Sequence, residues 1–400
     1  MNDSIGEALR HGRERVGLSQ EAAAQAAGIN RVQLSYYETG KRQPPLGTAA
    51  VLARLYGSTI EALISGEAGP RSSIDVSGVL YRAAPVDLGD QARAGLQQID
   101  QYLADYVELA EELGVELPGP GRSPVSSART ASAKEAAWAA RELRRHLNLG
   151  GAPLPDPFQL LDAAVLIWRL PLGEDLAQSP SGLFYNHPRA GFCIAVNSQM
   201  TLGRQVFTLA HELAHAYFHS QSADVIVSMP GTDHGREAFA DAFAGEFLVP
   251  GDALRQLVSE LPSFDPVIDP VVVVHLQRHF GVSFATMRVR LLQERLISRE
   301  AFDDLADVSP SRLAQALGYV VHPADLGSFQ LHPLERFPAR MLLLVRSALE
   351  RSAITRGDAA ETLGTSTEEI RQLLSRPAAG DEDRRLLLDL EAAAFANRES

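Results

Sequence analysis

Apolar positions recur three and four apart through most of the chain, which predicts helices, and only a short central stretch has strand character. Residues 1–66 read as five short helices. Ser4 caps the first, with Ile5, Leu9 and Val16 facing inward; Ser19 caps the second, which Ala22, Ala23 and Ala26 keep slim and Gly28 ends. The third runs from Arg31 to Thr39 and stops at Gly40; Pro45 opens the fourth and Thr59 the fifth. Residues 67–87, with Gly, Pro and Ser among scattered apolar positions, read as a linker. From Asp87 to Leu113, Leu96, Ile99, Leu103, Val107, Leu109 and Leu113 give one long amphipathic helix. Its apolar face suits a second copy of itself or its own chain equally well. Residues 115–133 are rich in Pro, Gly and Ser and read as a second, mobile linker, so that 67–133 form one connecting unit.

A further unit covers 134–297. Helices at Lys134–Leu147 and Pro157–Ala164 lead into a strand at Val165–Arg169. A hairpin-like pair follows, Gly182–Tyr185 and Gly191–Val196, with His187 in solvent at the turn. An edge strand of this small sheet could hold an extended peptide by strand addition. Phe207–His219 reads as a buried helix, and Glu237–Val249 as a second one closed by Pro250. Helices at Ala253–Leu261, Val271–Phe280 and Ser283–Leu296 complete the unit. Residues 298–400 read as a helical interaction or sensor domain: a helix from Ser309-Pro310 to Gly318, a strand at Tyr319–Val321, and a helix pair around Gly364. The expected class is therefore mainly α (α+β).

The chemistry concentrates in Phe207–His219, FTLAHELAHAYFH. His211 and His215 are four apart, so a helix presents both imidazoles on one face to a single metal ion. Glu212 lies about 100° round the axis, placed to take a proton from water without being a ligand. That set suits zinc hydrolysis, which needs a third protein ligand and one open position. Buried carboxylates are costly unless paired or metal-bound, and Glu237 and Asp241 share one face of an otherwise apolar helix. Glu237 is assigned as the third ligand, and Asp241 as acceptor for the N–H of a ligating His. His275 and His279 repeat the spacing, but Leu276 stands where a base is needed, so that pair reads as structural. His219 reads as a packed or hydrogen-bonded residue. His234 is a candidate donor to the oxyanion of a tetrahedral intermediate, with Tyr217 and Tyr185 as rivals.

FTLAHELAHAYFH, followed by the ExxADxFAGEFLVP helix, resembles the ImmA/IrrE metallopeptidases over roughly 134–297. The resemblance implies a zincin-like domain with one zinc at His211, His215 and Glu237, and Glu212 as general base. It also implies a protein substrate, often a helix-turn-helix repressor cleaved to switch on stress or mobile-element genes. Asp241 replaces the family's usual Asn, and Phe247 and Val249 its Leu and Met. The N-terminal stretch LSQEAAAQAAGINRVQLSYYETGKRQP resembles the Xre/phage-repressor family, whose third helix enters the DNA major groove. That resemblance places Gln20 at a phosphate or base, Asn30, Arg31, Gln33 and Ser35 towards DNA, and Lys41 and Arg42 at phosphates. It also implies a homodimer on double-stranded operator DNA. Glu38 reads as partner of a nearby basic side chain.

Composition narrows this picture little. The chain has 400 residues, 45% hydrophobic and 22% charged, which is ordinary for globular domains. A net charge of −13 argues against non-specific nucleic-acid binding by the whole chain, though not against a small module with a basic face. Cys193 is the single cysteine, which fits a reducing cytoplasm; no apolar run is long enough for a membrane span. Two functions are expected to compete: a DNA-binding regulator carrying a zinc endopeptidase for a repressor, a toxin partner or itself, or a non-proteolytic antitoxin or repressor that holds DNA and a partner toxin.

Overall fold

The computed structural model describes residues 2–56, 58, 63, 90–125, 132–162, 164–173, 179–220, 225–228, 234–261, 268–321 and 331–375. It is mainly helical around one small mixed sheet. The N-terminal unit holds α1 (Asn2–Arg15), α2 (Gln20–Ala26), α3 (Arg31–Glu38) and α4 (Leu46–Leu55). α1 begins ahead of Ser4, which therefore sits inside the helix instead of capping it. Ser19 does cap α2, its hydroxyl accepting the Ala22 N–H at 3.2 Å. Gly28, at φ +66°, makes the turn between α2 and α3 in a backbone region that favours glycine. Leu9, Leu18, Ala23, Leu34, Tyr37, Leu52 and Tyr56 form the core. The expected fifth helix and the 67–87 linker lie outside the described residues, except Leu63, which is buried in this core.

α5 (Asp90–Leu113) starts against this unit, where Ala94 joins the same core. Its later turns pack on its own chain, against the sheet. The sheet has four strands, β1 (Leu166–Leu170), β2 (Gly182–His187), β3 (Gly191–Asn197) and β4 (Val225–Ser228), in the order β1-β3-β2-β4. β1 runs parallel to β3, and β2 is antiparallel to both its neighbours. β4 carries no signal that the hydrophobic pattern picked out.

Strand side chains point alternately to two faces. On the inner face, Ile167, Phe184, Ile194 and Val196 meet α6 (Ala133–His146), α8 (Leu202–Ala214) and α9 (His234–Leu248) in one core. α7 (Pro157–Asp162) leads into β1. α10 (Gly251–Ser259), α11 (Pro270–Phe280) and α12 (Phe284–Gln293) extend that core. Leu305, which follows α13 (Arg299–Asp304), and Ala314 of α14 (Pro310–Ala316) are buried in it as well. On the outer face, Leu166, Trp168, Leu183, Tyr185 and Ala195 meet α5 and three C-terminal helices, α15 (Ala339–Glu350), α16 (Arg356–Thr362) and α17 (Thr367–Ser375). The segments read as a linker helix and as a separate C-terminal domain thus share one core. α5 crosses the chain closely at Gly95, where a Cβ would lie 2.6 Å from Leu172 Cδ2.

Three local expectations change. Residues 118–125 are packed instead of mobile: Gly119 N–H donates to Arg189 O at 2.9 Å, Gly121 N–H to Asn186 Oδ1 at 2.8 Å, and Val125 is buried. Tyr319–Val321 is not a strand, and Val320 is 88% exposed. His187 is buried instead of solvated; its Nδ1 accepts the N–H groups of Arg189 and Ala190, which closes the hairpin turn.

Candidate metal centre

α8 is fixed to the sheet before it reaches the histidines. Gln205 is buried near its start and donates to Ser198 O and Met200 O at 3.2 and 2.7 Å. The same side chain accepts from the Arg169 guanidinium at 2.8 and 2.9 Å. Val206 and Thr208–Ala214 are all buried, so this is a helix with apolar neighbours nearly all round. Its last turn widens into a π-helical turn over His215–His219, a local form common at functional sites. α9 contributes the opposite wall. Its Phe239, Phe243 and Phe247 are buried, the last two stacked at 5.7 Å, and Pro250 lies two residues beyond its end.

Three side chains from these helices converge. His211 Nε2 lies 3.0 Å from Glu237 Oε2 and 3.1 Å from His215 Nε2, and His215 Nε2 lies 3.3 Å from Glu237 Oε1. An ion bound tetrahedrally at 2.0–2.2 Å needs ligand atoms about 3.3 Å apart, close to these spacings. Among the described residues this is the group of His, Cys, Asp and Glu able to hold a metal ion. The donors, two imidazoles and one carboxylate, suit zinc. Asp241 Oδ1 stands 2.9 Å from the other ring nitrogen of His211, although its side chain is largely exposed. His215 turns its own second nitrogen to His219, with 2.9 Å between the two Nδ1 atoms.

Charges in the cluster are interdependent. Burial works against a charge on His211, but hydrogen bonds to Asp241 and Glu237, with Glu212 nearby, outweigh it and hold its pKa up at about 10. Burial, with positive His211 adjacent, depresses His215 despite its bond to Glu237. Burial resists ionisation of Glu237, yet the two imidazoles bring it down to about 2.

Glu212 is wholly buried beside the start of β2. A Cβ at Gly182 would lie 3.0 Å from Glu212 Cγ, 2.7 Å from Thr208 Cγ2 and 2.9 Å from Ala195 O. Only a glycine lets the strand approach the helix this closely. Of the candidate oxyanion donors, Tyr217 is buried against Phe192 and Phe218, and burial raises its hydroxyl pKa. Tyr185 belongs to the outer-face core. His234 opens α9, and its side chain lies outside those described. His275 pairs with Tyr319 OH at 2.5 Å, away from the cluster.

In the N-terminal unit, Glu38 is buried and takes both oxygens to Arg13, at 2.6 and 3.0 Å, while Gln20 Nε2 donates to it at 2.8 Å. Asn30 and Gln33 form a capping box at the start of α3: Asn30 Oδ1 accepts the Gln33 N–H, and Gln33 Oε1 accepts the Asn30 N–H. Arg31, Lys41 and Arg42 are exposed, and Ser35 is half-buried. Two further residues face outward on α3, Val32 at 58% and Tyr36 at 44% exposure. Helical spacing from the buried Leu34 and Tyr37 puts both on the opposite side, a signal already present in the sequence.

Residues 4–64 match the family model of a helix-turn-helix domain, and residues 172–292 match that of the IrrE N-terminal-like domain of the peptidase M78 family. No curated protein matches the chain. The first match suggests DNA binding, and the second a metallopeptidase-type enzyme. Among the described residues, no helix is long and apolar enough to cross a membrane. The chain thus carries a helix-turn-helix domain followed by an IrrE N-terminal-like peptidase M78 domain.

Proposed function

We propose that the chain is a DNA-binding regulator whose second domain is a zinc-dependent endopeptidase. The observation that carries this reading is the convergence of His211 Nε2, His215 Nε2 and a Glu237 carboxylate, with Glu212 one residue along the same helix. When bound, zinc supplies a Lewis acid that acidifies water and polarises a carbonyl oxygen. His211 and His215 would hold it through Nε2 together with the Glu237 carboxylate, and Asp241 would fix the His211 ring through Nδ1. Glu212 takes the proton of the attacking water and later passes it to the leaving amine. The substrate is a regulatory protein: a repressor, a toxin partner or the chain itself.

On the DNA side, Arg31, Ser35, Val32 and Tyr36 of α3 would meet base edges in the major groove, and Lys41 and Arg42 phosphates. Gln20, Asn30 and Gln33 already have structural partners, so their part would be to hold α3 in place. A homodimer would read two half-sites.

The test compares wild type with Glu212→Gln, both loaded with zinc, after incubation with proteins encoded by neighbouring genes. Mass spectrometry reads new peptide termini. Both forms should bind zinc, because Glu212 is not a ligand, and only wild type should generate termini. Zinc-loaded wild type that cleaves nothing while a partner co-purifies would replace this reading with that of a non-proteolytic antitoxin or repressor.

A further inference from the structure

His219 lies in the π-helical turn, four residues beyond His215, and is almost wholly buried. It is not one of the three converging donors. Its ring is wedged between two others: the His215 ring at 4.9 Å and the edge of Phe239 at 5.4 Å. The contact to His215 is polar and directed, because the two Nδ1 atoms are 2.9 Å apart. That length is a hydrogen bond, so one nitrogen donates and the other accepts. A His that ligates through Nε2 carries its proton on Nδ1, which makes His215 the donor and His219 Nδ1 the acceptor. The widened turn matters here. An i→i+5 turn fits more residues into each turn than an α-turn, so each advances by a smaller angle and residue 219 is rotated relative to 215.

From this geometry we infer that His219 is the positioning residue for the metal ligand His215. It locks the His215 tautomer and ring plane, as Asp241 does for His211. The two ligands are then held differently: His211 by a largely exposed carboxylate, His215 by a buried neutral imidazole. Losing such a partner typically costs 10–100-fold in metal affinity. The inference rests on the metal-centre reading of His211, His215 and Glu237.

The test uses the full chain and three substitutions. His219→Asn can place an amide oxygen where Nδ1 stood. His219→Gln is equally polar but carries its amide one carbon further out. His219→Phe keeps the ring and removes the acceptor. Zinc affinity is measured by competition with a chromophoric chelator, cobalt(II) spectra report the ligand set, and thermal unfolding without metal reports the fold. Gln and Phe should weaken zinc binding by about 10–100-fold, with Asn recovering most of the loss and all cobalt spectra keeping the wild-type coordination pattern. Wild-type affinity in His219→Phe, or equal losses in Asn and Gln at unchanged thermal midpoints, would overturn the inference alone. So would a cobalt spectrum showing a lost ligand, since His219 would then bind the ion itself. A wild type that takes up no zinc overturns the metal centre and this inference together.

Discussion

On the inner face of the sheet, Ile167, Phe184, Ile194 and Val196 pack against helices that carry His211, His215 and Glu237; on the outer face, Trp168, Leu183, Tyr185 and Ala195 pack against α5 and the C-terminal helices. Both faces are buried, yet they are covered in different ways. The inner cover comes largely from segments close by in sequence. The outer cover joins 90–113 to 331–375, from either side of the matched stretch 172–292. The matched domain therefore does not bring its own outer cover. α5 also meets the helix-turn-helix core at Ala94, so one helix touches both functional units. The inner face carries the candidate metal centre, and the outer face packs α5 against the C-terminal helices.

The sharpest way to break this comparison is to damage each face separately. Trp168→Ala empties a wholly buried outer-face position and should cost about 3–5 kcal/mol of stability. Chemical denaturation measures the loss, and zinc stoichiometry in the folded fraction should stay at one. Loss of zinc from protein that is still folded would mean that the two faces are not separable. Gly182→Ala tests the inner face. Its new Cβ would crowd Ala195 O, Thr208 Cγ2 and Glu212 Cγ, an overlap worth about 1–3 kcal/mol. Because Glu212 must move, cleavage should fall by more than the stability loss explains, while zinc affinity holds. A cleavage rate that merely tracks the folded fraction would remove the strand from the account of Glu212.

The same contrast explains what was legible in the sequence. His211, Glu212, His215 and Glu237 stood out because a metal-binding motif fixes residue types at helical spacings; α9 lies within three residues of its expected bounds, while α8 begins five residues ahead of the expected Phe207 and passes into the π-helical turn that ends at His219. The outer face had no comparable signal. LIWRL and GFCIAVN are nearly continuous apolar runs because both faces are buried, so alternation could not say what covers either one. α5 was readable as an amphipathic helix, but its partner was open between a second copy and its own chain. His187 looked solvated because it sits by a turn, yet it is buried and accepts two backbone N–H groups, and its pKa is pushed by burial down to about 4. The family pattern places Asn30 and Gln33 towards DNA; their reciprocal capping bonds come from local helix geometry, which the resemblance does not weigh.

A pH-dependent effect is expected at the junction of the two faces. Asp162, at the end of α7, is buried and accepts the Arg340 N–H at 3.3 Å, where α15 of the outer cover begins. Burial raises its pKa from 3.8 to about 6, opposed by the Arg340 charge and by N–H groups of Arg340, Ala339 and Ile167. The folded state thus keeps a proton that the unfolded chain gives up in the window between those two values. In that window stability falls as pH rises, because the unfolded chain binds fewer protons. Below it the acid is neutral in both states and costs nothing; above it the full penalty stands, on the order of 3 kcal/mol. Asp162→Asn keeps an oxygen for one N–H and has no charge to bury. The difference between wild type and variant cancels the titration of every other group. Wild type should therefore gain on the variant as pH drops from 7 to 4, read as unfolding midpoints of both proteins in the same buffers. A difference that stays flat across that range would mean that the carboxylate titrates alike in both states, and that the joint between the two faces carries no buried charge.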